Sequence, residues 1–425
     1  MKRRYHKVAA TALVALSCSM MLSGCGNKEA VSDHKSSNYK PANDVDGIFN
    51  PKAKSTIDKT QEIENLINFH YYFEKDAEKQ EESYFDGIMA GLDDPYSVYY
   101  TKEEYEKLIE DDKGTYVGIG STVSKKVDTN EIYIVKPLKG GPAEKAGMLP
   151  GDVILKVDDT DITADMELEE VTKMIRGEEN TEVTVTVKRD GVEGEVVLKI
   201  TRALVENTTV SYEMLDGNIG YVQVDQFIDN TPDLFKKALD DLGSQGAKSY
   251  IIDLRNNPGG LLTAVISMCD YIIDDKATAP GGESAGDLLY TKDKNDKMIQ
   301  KLGCTDNHSI EAPIVVIVNE NSASASEVFT SCMRDYGKAT VVGKTTFGKG
   351  IVQSVFPLKD GSAVKLTIAK YYTPSGTEIH KVGIKPDVEV ELSDELKKKI
   401  TIPHKDDTQL QEAVKQLGGK PLTDE

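Results

Sequence analysis

Cysteine is scarce in this 425-residue chain: Cys18, Cys25, Cys269, Cys304 and Cys332 are all there are. Beyond Cys25 they are odd in number and widely spaced, so they form no disulfide framework, and no pair has metal-ligand spacing. Neither an HExxH helix motif nor a Walker-type loop occurs, which leaves metalloprotease and nucleotide-driven chemistry without a basis in sequence, and no metal or organic cofactor is implied. Histidine is equally sparse. His6, His34, His70, His308, His380 and His404 sit in no catalytic wording, although a Ser–His–Asp triad is assembled in space and stays open as a rival arrangement. Positive charge is also in deficit, with a formal net charge of -20. Such a surface repels phosphate backbones and argues against a nucleic-acid partner.

The N-terminal apolar run, Val8 to Leu22, is about 15 residues, short of the roughly 20 that span a bilayer as a permanent helix. It follows a basic start (Lys2, Arg3, Arg4, Lys7) and ends in small residues, so residues 1–24 read as a secretory leader. Without those four bases the mature chain is nearer -24. Leu22-Ser-Gly-Cys25 resembles a bacterial lipobox, which implies lipid on Cys25 and an extracytoplasmic, membrane-anchored protein. Residues 25–55, rich in Ser, Asn, Asp, Lys and Pro, read as a tether. Beyond it, 39% hydrophobic and 29% charged residues describe a soluble, globular, multi-domain chain.

The pattern then changes character twice. Residues 56–113 are helical, with Ile57, Ile63, Leu66, Ile67 and Phe69–Phe73 at amphipathic spacing and helices expected over Ser83–Leu92 and Lys102–Asp111. Residues 114–200 are short β-rich runs punctuated by Gly and Asp. Gly118-Ile-Gly120 would let successive backbone N–H groups converge on a carboxylate, and the adjoining strand edge could pair with an extended peptide. From residue 201 to 402 strands and helices alternate as in an α/β core, with residues 277–308 polar and indistinct; a last helix is expected over Gln409–Leu417 in the tail, 403–425.

Two segments of the core carry chemistry. Ser322-Ala-Ser-Ala-Ser-Glu327 follows a buried strand, Pro313–Val318, and opens a helix. That turn would expose a serine hydroxyl and aim N–H groups at what bonds to it, although a helix N-cap could be any of Ser322, Ser324 or Ser326. Lys349, 25 positions after Ser324, stands between Gly348 and Gly350 at the head of an apolar strand. Burial there would disfavour its ammonium, as a general base requires. In a strand, positions 349, 351 and 353 share a face, so Gln353 could orient the amine. Backbone donors for a tetrahedral oxyanion are expected from Ala325 and from Gly259 or Gly260 in the Asn257-Pro-Gly-Gly260 turn. Asp253 and Arg255 read as a structural ion pair or turn contacts.

Over residues 60–392 the wording resembles the carboxyl-terminal processing peptidases (tail-specific serine proteases): the SASASE and TFGKGIVQ segments, Leu92-Asp-Asp-Pro-Tyr-Ser97, and Tyr371–Gly376. Gly141-Pro-Ala-Glu-Lys-Ala-Gly-Met-Leu-Pro-Gly-Asp-Val-Ile154 resembles a PDZ domain of bacterial envelope proteases. The resemblance implies a PDZ domain inserted before a crotonase/Clp-like α/β core. It further implies Ser324 as nucleophile, Lys349 as base and Gln353 as orienting residue, with protein substrates bearing free C-termini. A homo-oligomer is left open. A non-catalytic PDZ scaffold and a crotonase-like hydrolase or ligand binder are the alternatives; the intact serine–lysine–glutamine set argues against the first, and the PDZ domain against the second.

Overall fold

The computed structural model describes residues 54–126, 129–397 and 402–423. Contacts divide them at Tyr99/Tyr100 into two compact units. In the first, helices Lys54–His70 and Ala77–Ala90 form where amphipathic spacing predicts them, the second starting earlier than expected behind an Asp76 N-cap. Their apolar stripe is largely uncovered: Ile63, Leu66 and Phe69 are exposed, Phe69 at 88%. The Asp-Asp-Pro-Tyr-Ser segment is a turn, with Asp94 accepting from Tyr96 N–H (3.1 Å) and Ser97 Oγ (2.6 Å).

In the second unit, the PDZ portion is a sheet of strands in the order Ser121–Lys125, Ile132–Pro137, Val153–Val157, Glu182–Lys188 and Glu195–Thr201. Alternating apolar residues (Ile132, Ile134, Val183, Val185, Val187) supply its core, closed by Val171 and Ile175 of helix Leu168–Ile175. Thr115–Gly118 pairs antiparallel with Ala203–Glu206, so the chain enters and leaves this domain side by side. Ser121–Lys125 lies at the edge of this sheet.

The core sheet runs Val210–Leu215, Ile219–Val224, Ser249–Asp253, Ile314–Val318, Ala339–Gly343, Val388–Glu389, and every pair after the first is parallel. Both faces are covered, which explains the continuous apolar runs of its central strands. Tyr250, Ile252, Val316 and Val318 pack under helices Thr231–Ser244, Leu262–Asp270 and Ala325–Asp335. Ile251, Val315 and Ile317 face helix Thr408–Gln416 through Leu410, Ala413 and Val414. A second sheet holds Ile351–Pro357, Ala363–Tyr372 and the hairpin Asp287–Lys292/Met298–Gly303. That hairpin lies in the stretch whose sequence reads as indistinct. Its second strand alternates no apolar face, because it is an edge with mostly exposed or half-buried residues.

Candidate functional site

Three adjacent parallel strands end at one edge of the core sheet, where open α/β sheets place their ligands. Ser249–Asp253 delivers the turn Arg255–Gly260, Ile314–Val318 delivers Asn319–Ser324, and Ala339–Gly343 delivers Lys344–Lys349. Parallel pairing therefore brings together residues that lie far apart in sequence.

Ser324 takes φ 54° and ψ -112° immediately before helix Ala325–Asp335. A positive φ is strained for a residue with a Cβ and persists only where the surroundings impose it. Here they do. Ser322 Oγ donates to Leu254 O (2.8 Å), Ala323 N–H and Ser326 Oγ donate to Asn257 O (3.1 and 2.9 Å), and Phe347 N–H donates to Ser322 O (3.1 Å). Gly259 packs directly against this elbow; a Cβ there would lie 2.9 Å from Ser324 Cβ and 2.8 Å from Ala323 O. At φ +108° and with that approach, only glycine fits.

Lys349 is 7% exposed and Ser324 3% exposed, so both predicted residues are buried. Two side chains tie their backbones together. Glu327, fully buried, accepts from Ser324 N–H (2.9 Å) and Lys349 N–H (2.8 Å) on one oxygen, and from Gly348 N–H (2.7 Å) and Thr346 Oγ1 (2.5 Å) on the other. Thr346 Oγ1 in turn accepts from Ile384 N–H (2.7 Å). On the carbonyl side, the Tyr371 hydroxyl reaches both Ser324 O (3.1 Å) and Lys349 O. One carboxylate thus gathers the N–H groups of the two segments and one phenol gathers their carbonyls. Burial pushes the Glu327 carboxyl above its ordinary pKa, and the four hydrogen bonds it accepts pull against that shift.

Sequence reasoning assigned Glu327 only to the helix start and gave Tyr371 no role. The Ser-x-x-Glu spacing of a capping box was the available signal for Glu327. Nothing local marks Tyr371, which arrives from strand Ala363–Tyr372.

Gln353 is buried on strand Ile351–Pro357 and its amide donates to Thr367 Oγ1 (3.3 Å); its Oε1 has no hydrogen-bond partner among the described residues. A register shift between Val352 and Gln353 interrupts the simple alternation that would put 349, 351 and 353 on one face. In the glycine turn, Gly259 N–H donates to Asn257 Oδ1 (2.9 Å) while Asn257 Nδ2 donates to Val224 O (2.8 Å). Gly260 abuts Phe227, whose N–H and carbonyl bond Gly259 O (3.0 Å) and Leu261 N–H (2.7 Å). Among the histidines, His308 stacks on Tyr271 and His404 leans on Tyr221, whereas the His380 backbone packs against Gly350. Cys269, Cys304 and Cys332 are free thiols.

In the PDZ portion, Gly118 and Ile119 line a groove of about 330 Å³ together with Ser121, Val123, Ile175 and Arg176. Gly120 turns the chain at φ +68°, and its carbonyl accepts from Leu138 N–H (3.0 Å). Cys25, with the leader and tether, lies outside the described residues, and no described helix is long and apolar enough to cross a membrane.

Comparison with known proteins agrees with this architecture. Residues 218–390 match the model of peptidase family S41, and residues 133–189 match a PDZ domain. A probable CtpA-like serine protease of Staphylococcus haemolyticus (strain JCSC1435) is 41% identical over 350 residues, covering 81% of this chain and 68% of the relative. One of the same description from Staphylococcus aureus (strain COL) is 40% identical over 343 residues, covering 81% and 66%. The chain thus spans about two thirds of the length of these relatives. Among solved structures, a photosystem II D1 C-terminal processing protease aligns over 78% of this chain and 86% of its own, at 30% identity and a TM-score of 0.45.

Proposed function

Because the chain belongs to peptidase family S41, among the CtpA-like serine proteases with a PDZ domain, we propose that it hydrolyses peptide bonds with Ser324 as nucleophile and Lys349 as general base. The observation that carries this is the Glu327–Tyr371 clamp, which holds a strained, buried serine and a buried lysine within reach of the same two side chains. Ser324 Oγ attacks the scissile carbonyl while the neutral Lys349 amine takes its proton. The ammonium so formed protonates the leaving amine, giving an acyl-enzyme that water then hydrolyses by the same route. The oxyanion is received by Ala325 N–H, in the first turn of the helix, and by a glycine of the facing turn. This second donor is Gly259 or Gly260, of which Gly259 N–H also donates to Asn257 Oδ1 (2.9 Å). Gln353 Oε1 is the acceptor we assign to steady the lysine.

A neutral lysine has a measurable consequence. The proposed base must be neutral to accept a proton, so kcat/KM should climb along a titration well below the ordinary lysine value of about 10.4. A profile that begins to rise only near that value contradicts the assignment. A metal chelator should leave the rate unchanged.

We further propose that substrates are selected by their C-terminal tails. The tail carboxylate would meet the Gly118–Gly120 loop while the peptide adds to strand Ser121–Lys125 and its last apolar side chain enters the groove. Docking there raises the local concentration of peptide at the core. Amidating the substrate C-terminus, or ending it in Asp, should therefore slow cleavage of a tail-bearing protein at least several-fold while leaving a short tailless peptide unaffected. Equal rates for free and amidated tails would end the tail-selective reading.

For localisation, we propose a lipid anchor on Cys25 at the extracytoplasmic face. A diacylglyceryl group supplies two chains, enough to hold firmly where one would not. Cys25→Ser should shift the protein from the membrane fraction to the soluble one, and an intact mass showing an unmodified N-terminus downstream of Cys25 would remove the anchor.

A further inference from the structure

The turn that carries Gly259 and Gly260 begins at Arg255, and half of what holds Arg255, Asp407 with Gln409, comes from outside the family-matched residues 218–390. Its guanidinium, with the side chain only 12% exposed, lies between two carboxylates. Nε donates to Asp253 Oδ1 and Oδ2 (3.0 Å each) and Nη2 to Asp253 Oδ2 (2.5 Å). Asp407 takes the other side, with Nη1 at 3.0 Å from its Oδ1 and Nη2 at 2.8 Å from its Oδ2, and Nη1 also reaches Gln409 Oε1 (3.2 Å). Both carboxylates have further donors. Tyr221 OH donates to Asp253 Oδ2 (2.7 Å), and Asp407 Oδ1 caps helix Thr408–Gln416 by accepting from Gln409 and Leu410 N–H (3.1 Å each). An arginine held in this way is rigid, since each of its donors has a fixed acceptor.

We propose that Asp407 is a positioning residue for catalysis: it fixes Arg255, and through Arg255 the entry of the turn whose glycine N–H receives the oxyanion. The proposal rests on that reading of the turn. Downstream, the turn is pinned by Asn256 N–H to Asn319 Oδ1 (2.9 Å), by Asn257, and by Phe227 against Gly259 and Leu261. These contacts set its shape; the Arg255–Asp407 bridge sets where it starts, on the strand end beside the nucleophile loop. An oxyanion donor is effective only when held within a few tenths of an ångström of its place. The C-terminal segment therefore serves the active site directly, besides covering a face of the sheet.

The test uses the full mature chain. Asp407→Asn keeps an oxygen to cap the helix but removes the charge and the two-pronged grip on Arg255. Against an unstructured peptide reporter, kcat should fall by about 10- to 100-fold with KM within about twofold. The Ki of a peptide boronate, whose tetrahedral adduct places an oxygen in the hole, should rise in proportion to the loss in kcat/KM. Leu410→Ala is the control. It loosens the same helix from the sheet and should lower the melting temperature while leaving kcat at wild-type level below melting. Unchanged kcat and boronate affinity in Asp407→Asn would overturn the proposal, as would an equal loss of kcat in Leu410→Ala. The serine reading beneath it fails separately, if Ser324→Ala still cleaves or if the boronate does not inhibit the wild-type enzyme.

Discussion

Replacing Ser324 with alanine should abolish cleavage, a loss on the order of a million-fold in kcat, the scale seen when a serine protease loses its nucleophile. Lys349→Ala should be nearly as severe, and the double variant no worse than either single one, because nucleophile and base act as a unit. The fold should survive both changes. Ser324 is anchored by backbone bonds to Glu327 and Tyr371 that alanine retains, and Lys349 is held the same way. Circular dichroism and melting temperature should therefore match wild type while a peptide assay falls to background. His380→Ala is the discriminating companion, since the His380 backbone packs against the lysine segment. If that variant is dead and Lys349→Ala is active, the base is a histidine. Gln353→Ala should keep more activity than Lys349→Ala, since it steadies the amine and carries no proton.

Glu327→Gln should be the next most damaging change, with kcat down by about 100-fold, KM little altered and a melting temperature lower by several degrees. The carboxylate accepts four hydrogen bonds in a fully buried site. An amide offers one oxygen and turns its NH2 toward donors, leaving buried N–H groups unpaired at about 1–3 kcal/mol each. The cost falls on geometry, because Ser324 N–H and Lys349 N–H share one carboxylate oxygen. The pH profile separates the two residues. Burial raises the Glu327 pKa, so on acidification it takes up a proton sooner than an ordinary glutamate would. Glu327 holds the serine and lysine segments by their backbone N–H groups and takes no part in the proton transfer. Glu327→Gln should then lower the plateau of the rate profile without moving its midpoint. A midpoint shift as large as that of a base variant would place Glu327 in the proton transfer itself.

Much of this is legible in the sequence. Strands Ile219–Val224 and Ile314–Val318 announce themselves as apolar runs, and helix Ala325–Asp335 by the inward side of Val328, Phe329, Cys332 and Met333. The hairpin Asp287–Gly303 does not: its second strand is a half-exposed edge that alternates nothing, and its first, buried on both faces, offers only the short run Leu288–Tyr290 among polar residues. The helix Lys54–His70 was expected from its spacing, yet spacing alone does not say whether a stripe is covered, and here Ile63, Leu66 and Phe69 are exposed.

By itself, the sequence determined which residue types could do chemistry and in what local setting: a serine at a strand-to-helix turn, a lysine between glycines, a pair of glycines in a turn. Those are local facts, set by side-chain size, backbone freedom and hydropathy over a few residues. Only the tertiary structure decided how the segments meet. Parallel pairing places three loop segments at one sheet edge, Glu327 and Tyr371 join the serine to the lysine, Asn257 claims Gly259 N–H, and Asp407 reaches Arg255 across 152 positions of chain. Apart from the Asn257–Gly259 bond, which spans two residues, each of these is a hydrogen bond between segments remote in sequence. Its energy depends on distance and angle in space, which no local pattern of residues encodes.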